Sequence, residues 1–478
     1  MKPTTSEKCI SVRLFEFLFG SKNNPSHPRP STVQGAPEQI EEWTIGGNYR
    51  ILNRMGTGGT ACVLRALDTS LAREVAIKIL LETESTDEEL TRRFLDEGRI
   101  LAGLRHPNLV TVHAMGVDER LAFPFLVMEL VHGSTLDDHI DEYRTYPTLL
   151  FRDMVTILET IHYCHQRHVI HLDLKPSNIM LDQHGTIRII DFGIAVSGIK
   201  PRSDEFALGT ALYMAPEQFT GSHELSPATD IYALGVILWE LLTGTPPFQA
   251  ASDATDSFTD LAHRHLADEP PIHDLMRLPH AAPLAGLISS MLSKHPEKRP
   301  AIQLLIAALK VELLAQGGSI RDRYHVRQTI SRTPNYLTFI AFDRLFSRPV
   351  VIRMLSAEAS LDPDLRDRFL DRARELANHP LPVLPAVLSI DRDPATTLPY
   401  LVEERVEGVR LNVVIPALQA RPLRLFRLFR SIWQALVVCR DAGIVHGNLV
   451  PSSILVSDQE TIRFVDTVPI SPRSLRPV

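Results

Sequence analysis

The stretch VIHLDLKPSNIML, residues 169–181, decides how this chain is read. It sets Asp173, Lys175 and Asn178 close together between apolar runs. A second stretch, IVHGNLVPSSILV at residues 444–456, keeps the His, Leu, Pro and Ser at the same spacing. In place of the three polar groups it has Asn448, Val450 and Ser453. A motif is repeated, and the repeat has lost the residues able to do chemistry.

The rest of the chain gives both copies room to fold. Its 478 residues suffice for about two or three domains with sizeable cores. Hydrophobic residues at 44%, charged residues at 22% and a formal net charge of −7 describe an ordinary globular protein with no nucleic-acid footprint. Cys9, Cys62, Cys164 and Cys439 are scattered, which argues against a disulfide framework or a zinc site and for a reducing compartment. No stretch reaches the roughly 18 to 20 apolar residues of a membrane span. The richest, ATDIYALGVILWELLTG at 228–244, carries Asp230 and Glu240 and reads as the buried axis of a domain. The N-terminal ISVRLFEFLF is interrupted by Arg13 and Glu16 and lacks the order of a signal peptide, so a cytoplasmic protein is expected.

Residues 21–43 are rich in Pro, Ser, Asn and Gln and read as a flexible linker. They set apart residues 1–20, where Leu14, Phe15, Phe17, Leu18 and Phe19 make either a docking segment or a tail. From Tyr49 the runs YRILNRMG, CVLRALD and EVAIKILL read as an antiparallel meander. In DEELTRRFLDEGRILAGL (87–104), Leu90, Phe94, Leu101 and Leu104 recur at helical spacing, and Glu97 shares their face. An inward carboxylate needs a cationic partner, because burying it unpaired would cost several kcal/mol. Lys78, between apolar neighbours in a strand, needs a partner too. Before both stands RMGTGGTACVLRALD (54–68), whose Gly56, Gly58 and Gly59 let backbone N–H groups approach a phosphate closely.

The order of glycine-rich loop, VAIK, helix Glu, HLDLKPSN, DFG, GT..Y and APE resembles the eukaryotic-type Ser/Thr protein kinases, and the GTGG loop is similar to bacterial members. The resemblance covers about residues 44–317 and implies a bilobal α+β fold, with an antiparallel β lobe followed by a mainly helical one. It implies ATP and Mg²⁺ as cofactors, with Mn²⁺ as an alternative, and protein substrates. By resemblance, Lys78 paired with Glu97 would hold the α- and β-phosphates, and Asp191 and Asn178 would ligate the metal. Asp173 would accept or orient the proton of the substrate hydroxyl, and Lys175 would neutralise the transferring phosphate. Gly56, Gly58, Gly59, Val63, Ala76, Met128, Glu129 and Val131 would line the nucleotide site. Glu217 and Arg299 match a buried structural pair, and Asp230 a residue that braces the catalytic loop. Two positions depart from the pattern. Ala61 replaces the third loop glycine. Leu172 replaces the Arg that in many members receives an activation-loop phosphate, so activity is expected not to depend on a phosphate docked there. Ser197, Ser203 and Thr210 are the candidate autophosphorylation sites, Thr210 the weakest of them because GT..Y resembles a substrate-seating segment.

An offset of 275 residues carries the landmarks of the first domain onto residues 320–478: Tyr49 onto Tyr324, Asp68 onto Asp343, Phe94 onto Phe369, Gly133 onto Gly408. Apolar positions survive and chemical ones do not. Gly56 and Gly58 become Ser331 and Thr333, Lys78 becomes Arg353, Glu97 becomes Arg372, and DFG becomes Asp466, Thr467, Val468. The reading expects two like charges on facing elements, one metal carboxylate without partners, and a truncated fold that resembles a pseudokinase. No APE and no counterpart of 228–244 follows Asp466, so apolar surface is expected to be covered by the first domain, by a second copy in a homodimer, or by another partner. The principal reading is an ATP-dependent Ser/Thr protein kinase with a regulatory or recruiting second domain. The alternatives are a nucleotide-binding scaffold and a small-molecule phosphotransferase of related fold.

Overall fold

The structure, a computed structural model, describes residues 44–57, 61–80, 88–120, 123–192, 209–221, 225–251, 256–418, 421–457 and 459–467. Residues 1–43, Gly58, Gly59, Ser197 and Ser203 lie outside the described residues. Contacts divide the chain into two units, Met1–Ala301 and Ile302–Val478.

In the first unit, strands β1 (Thr44–Ile45), β2 (Tyr49–Thr57), β3 (Ala61–Asp68), β4 (Arg73–Leu80), β5 (Val112–Val117) and β6 (Pro124–Glu129) form one sheet. Its order is β1-β2-β3-β4-β6-β5, and its pairs are antiparallel. Strict alternation in β3 turns Cys62, Leu64 and Ala66 inward onto Val75, Ile77 and Val127. Helix α1 (Glu88–Gly103) lies between β4 and β5 in sequence and buries Phe94 and Glu97 together, as their spacing requires. The helical half follows: β7 (Gly133–Thr135), α2 (Ile140–Thr145), α3 (Pro147–His165), β8 (Ile179–Asp182), β9 (Ile187–Ile189), α4 (Pro216–Phe219), α5 (Pro227–Thr243), α6 (Ser257–Ala267), α7 (His273–Met276) and α8 (Ala285–Met291). Helix α5 is the apolar axis read from 228–244. Every residue from Thr229 to Leu242 is buried, and Pro227 at its start and Gly244 in the left-handed region at its end fix its length.

The second unit begins with α9 (Ile302–Ala315), whose Val311 and Leu314 join the core of the following sheet. Arg332 on that sheet donates to both Glu312 oxygens at 2.6 and 2.8 Å. This helix falls with the second unit, although residues up to 317 read in sequence as part of the first domain. Strands β10 (Ser319–Ile320), β11 (Tyr324–Arg332), β12 (Tyr336–Asp343), β13 (Arg348–Leu355), β14 (Val387–Arg392) and β15 (Pro399–Glu404) pair in the order β10-β11-β12-β13-β15-β14. Then come α10 (Pro363–Asn378), which precedes β14 in sequence, and β16 (Val409–Arg410), α11 (Leu411–Leu418), α12 (Pro422–Asp441), β17 (Ile454–Val456) and β18 (Ile462–Phe464).

The 275-residue offset holds for the backbone as well as for the letters. It carries β2 onto β11, β4 onto β13, α1 onto α10 and β6 onto β15 with identical ends. It also carries the rare left-handed residues Ala72, His168, Leu172 and Asp191 onto Ser347, Gly443, Gly447 and Asp466, all at positive φ. Core apolar residues alone would not demand such agreement. The turns and the strained positions have been kept together with the pattern of burial.

Candidate active site

The first unit brings the charged sequence candidates to one place. Lys78 on β4 faces two carboxylates, Glu97 from α1 at 3.8 Å and Asp191 at 3.3 Å. Burial by itself would depress the Lys78 ammonium, but Asp191 and Glu97 outweigh it and hold the pKa above the ordinary value. Lys78 is therefore a fixed positive charge at neutral pH. Across the sheet, Val63 pairs with Gly56 on one side and with Lys78 on the other, while Ala76 pairs with Met128. These residues form a wall beside Lys78, and Glu129 and Val131 continue it at the end of β6.

The loop before β8 supplies the second half of the site. Asn178 donates its amide to the Asp173 carboxylate at 2.9 Å and to the Asp173 carbonyl at 2.8 Å. It also reaches the Asp191 carbonyl at 3.4 Å. Lys175 Nζ donates to both Asp173 oxygens at 3.0 and 3.2 Å and to Thr210 Oγ1 at 2.9 Å. Asp173, Lys175, Asn178 and Asp191 are thus one connected polar group, with Asn178 buried and the three charged side chains partly exposed. Thr210 is tied to it through Lys175.

Asp230 in the first turn of α5 fixes this loop from beneath. Its carboxylate accepts from the His171 and Leu172 backbone N–H groups, both at 2.9 Å, and from His165 Nε2 at 2.7 Å. Leu172 is held at φ 67° and Asp191 at φ 49°, conformations that cost side-chain-bearing residues about 1–3 kcal/mol and persist only where the surroundings impose them. His171 stacks on Phe192 at 4.2 Å, and burial lowers its pKa, so it is neutral packing at pH 7. Arg299 donates to both Glu217 oxygens at 2.7 and 2.8 Å, and Thr229 adds a third bond at 2.9 Å. Burial pushes the Glu217 carboxyl up, yet Arg299 brings it below its ordinary value, so the pair stays ionised.

The equivalent place in the second unit is built differently, and it corrects the expectation of unpaired like charges. Arg353 takes Glu403 at 3.0 Å and Asp466 at 3.0 Å, and both Arg353 and Glu403 are about 2% exposed. Glu403 stands at the position of Met128 in the first unit. Arg372 turns away to Glu375 and to the carbonyl oxygens of Val445 and Thr467. Asp466 is also within 3.4 Å of Arg410, so it is not without partners. Glu403 escaped the sequence reading. The signal was available, since an inward Arg353 requires a carboxylate and the offset places Glu403 on a buried strand position.

A family model for the protein kinase domain matches residues 49–309. The serine/threonine-protein kinase PrkC of Bacillus subtilis is 39% identical over 230 residues, covering 48% of this chain and 34% of its own length. The serine/threonine-protein kinase PknA of Mycobacterium tuberculosis is 36% identical over 269 residues, covering 54% of this chain and 59% of its own length. The chain therefore spans only part of these relatives. Among solved structures, the PknI kinase domain of Mycobacterium tuberculosis matches at 24% identity with a TM-score of 0.44, over 57% of this chain and 98% of that one.

Proposed function

The chain belongs to the protein kinase family, and on that premise we propose that it transfers the γ-phosphate of ATP to Ser or Thr hydroxyls of proteins. The observation that carries this reading is the joining of Lys78, Glu97, Asp173, Lys175, Asn178 and Asp191 in one site. A scaffold that only binds nucleotide has no use for an Asp173 held by Lys175, which itself bonds Thr210. A small-molecule phosphotransferase has no use for a segment that seats a polypeptide.

The donor set fits a magnesium nucleotide. Asp191 and Asn178 offer hard oxygens and no thiolate or imidazole, and Mg²⁺ usually takes one or two protein oxygens together with phosphates and water. Mn²⁺ would find the same ligands. Bound there, the metal would neutralise charge on the transferring phosphate. The remaining work falls to the protein. Lys78, kept charged by its two carboxylates, positions the phosphates. Asp173 orients the hydroxyl and takes its proton, and Lys175, 3.0 Å away, offsets negative charge as transfer proceeds.

Residues 320–478 are proposed as a catalytically silent, pseudokinase-like module that regulates or recruits, through contact with the first domain or in a homodimer. The Arg353–Glu403–Asp466 network supports silence, because Arg353 is consumed by carboxylates where a phosphate would have to sit. A cytoplasmic location is proposed on the buried thiols of Cys164 and Cys439, which form no disulfide among the described residues. Among the described residues, no helix is long and apolar enough to cross a membrane.

The reading is tested with purified full chain, MgATP and a basic protein substrate. Asp173→Asn should lower kcat at least about a hundredfold with little change in the KM for ATP, and the product should be phosphoserine or phosphothreonine. Transfer to small alcohols but not to protein would remove the protein-kinase assignment.

A further inference from the structure

The peptide that joins Leu172 to Asp173 sets the direction in which the Asp173 side chain leaves the backbone. Its N–H donates to His171 Nδ1 at 3.4 Å, which places the imidazole proton on Nε2, 3.3 Å from the Ile190 carbonyl. Its oxygen accepts from the Gln218 side-chain amide at 3.0 Å. Lys175 and Asn178 hold the Asp173 carboxylate, and Gln218 holds the peptide behind it. Leu172 needs such a hold, because at φ 67° it occupies a left-handed conformation that a side chain disfavours. At the matching place in the second unit the chain has Gly447 at φ 77°, which glycine adopts freely, followed by Asn448 in place of the carboxylate.

Gln218 is itself fixed at both ends. Its oxygen accepts from the Ala215 N–H at 2.9 Å while its nitrogen donates to Leu172. Since a backbone N–H can only donate and a carbonyl only accept, the amide has a single orientation. Gln218 stands on α4 next to Glu217, whose carboxylate is locked by Arg299. Two adjacent side chains of this short helix thus have different anchors. Glu217 enters the buried ion pair, and Gln218 reaches the loop that carries Asp173.

We propose that Gln218 is a positioning residue for phosphate transfer. Through the Leu172 carbonyl it orients the peptide ahead of Asp173, and so aims the Asp173 carboxylate at the substrate hydroxyl. It acts through Asp173 and not on the nucleotide, so its removal should be felt in turnover and not in the binding of ATP. The inference rests on the role proposed for Asp173 in the transfer.

The test is a double-mutant cycle in the purified full chain, read by transfer of labelled γ-phosphate from MgATP to a basic protein substrate. Gln218→Glu keeps the size of the side chain and its bond from Ala215, but sets an oxygen against the Leu172 carbonyl. It should lower kcat at least about tenfold and leave the KM for ATP within about twofold. In an Asp173→Asn background the same change should cost less than about twofold, because the group it acts through is already gone. A residue that only supports the fold would lower both backgrounds alike. Gln218→Met, of similar length and uncharged, removes the bond without adding charge and should show the same split, so it serves if thermal melting finds the glutamate variant unstable. Equal losses in the two backgrounds, a kcat indifferent to both substitutions, a loss carried by the KM for ATP, or early melting of both variants overturns the proposal. Absence of transfer in wild type removes the functional reading and this inference with it; transfer in wild type with equal losses in the two backgrounds removes this inference alone.

Discussion

Leu172 stands where a cation would be needed to hold an activation-segment phosphate, and its surroundings show that its backbone is what the site uses. Its N–H is taken by Asp230 at 2.9 Å and its carbonyl by Gln218 at 3.0 Å, so the catalytic loop is braced without any phosphate. Phosphatase treatment of the purified chain should therefore leave transfer to a protein substrate within about twofold, a change below roughly 0.5 kcal/mol in barrier. Abolition of activity, restored by one activation-segment phosphate, would contradict this. A second residue sets a pH dependence. His265 is buried among Tyr232, Phe219 and Phe248, and burial first, then Lys294, brings its pKa down to about 3. The folded chain keeps it neutral while the unfolded chain protonates it near pH 6.5, so the unfolded state binds more protons between those limits. Stability should fall as pH drops from about 6.5, by up to about 1.4 kcal/mol per pH unit, and His265→Gln should flatten that slope. Thermal melts of both proteins from pH 7 to 5 give the comparison; equal slopes would remove His265 as the source.

At the scale of elements, the sequence disclosed most where periodicity and chemistry agreed. Alternation in β3, the stripe of α1 and the long, mostly apolar run of α5 were all legible, and their bounds differ from the structure by a residue at most. Glu97 and Lys78 were legible as a pair because neither could be buried alone. What was hidden needed a partner distant in sequence. Nothing local shows that Lys175 reaches Thr210, that His165 pins Asp230, or that α9 belongs with the strands after it. The network joining β13 and β15 was hidden for the same reason. Arg353 and Glu403 are 50 residues apart, and Glu403 drew no notice in the sequence. Since a half-broken buried pair costs about 3–5 kcal/mol and apolar replacement of both members is nearly neutral, Glu403→Met alone should loosen this sheet. Arg353→Met together with Glu403→Met should restore most of the loss. Amide exchange of β13 and β15 in the full chain reads both; additive losses in the double variant would show that the two residues are not one unit.

Among the described residues the two units share a strand order and the same left-handed turns, and the chemistry is proposed for the first alone. The second copy has exchanged a lysine awaiting phosphate for an arginine already neutralised by carboxylates. That division of labour is the central claim, and it makes Asp191 the discriminating residue. Asp191 holds Lys78 and is proposed to hold the metal, whereas its counterpart Asp466 is bound to arginines. The decisive measurement is transfer of labelled γ-phosphate from MgATP to the full chain and to a basic protein substrate, comparing wild type with Asp191→Ala. Loss of a metal carboxylate should cost about 4 kcal/mol, roughly a thousandfold in rate. Transfer in wild type that falls by that factor in Asp191→Ala is the predicted result; equal transfer in the two proteins would contradict the account.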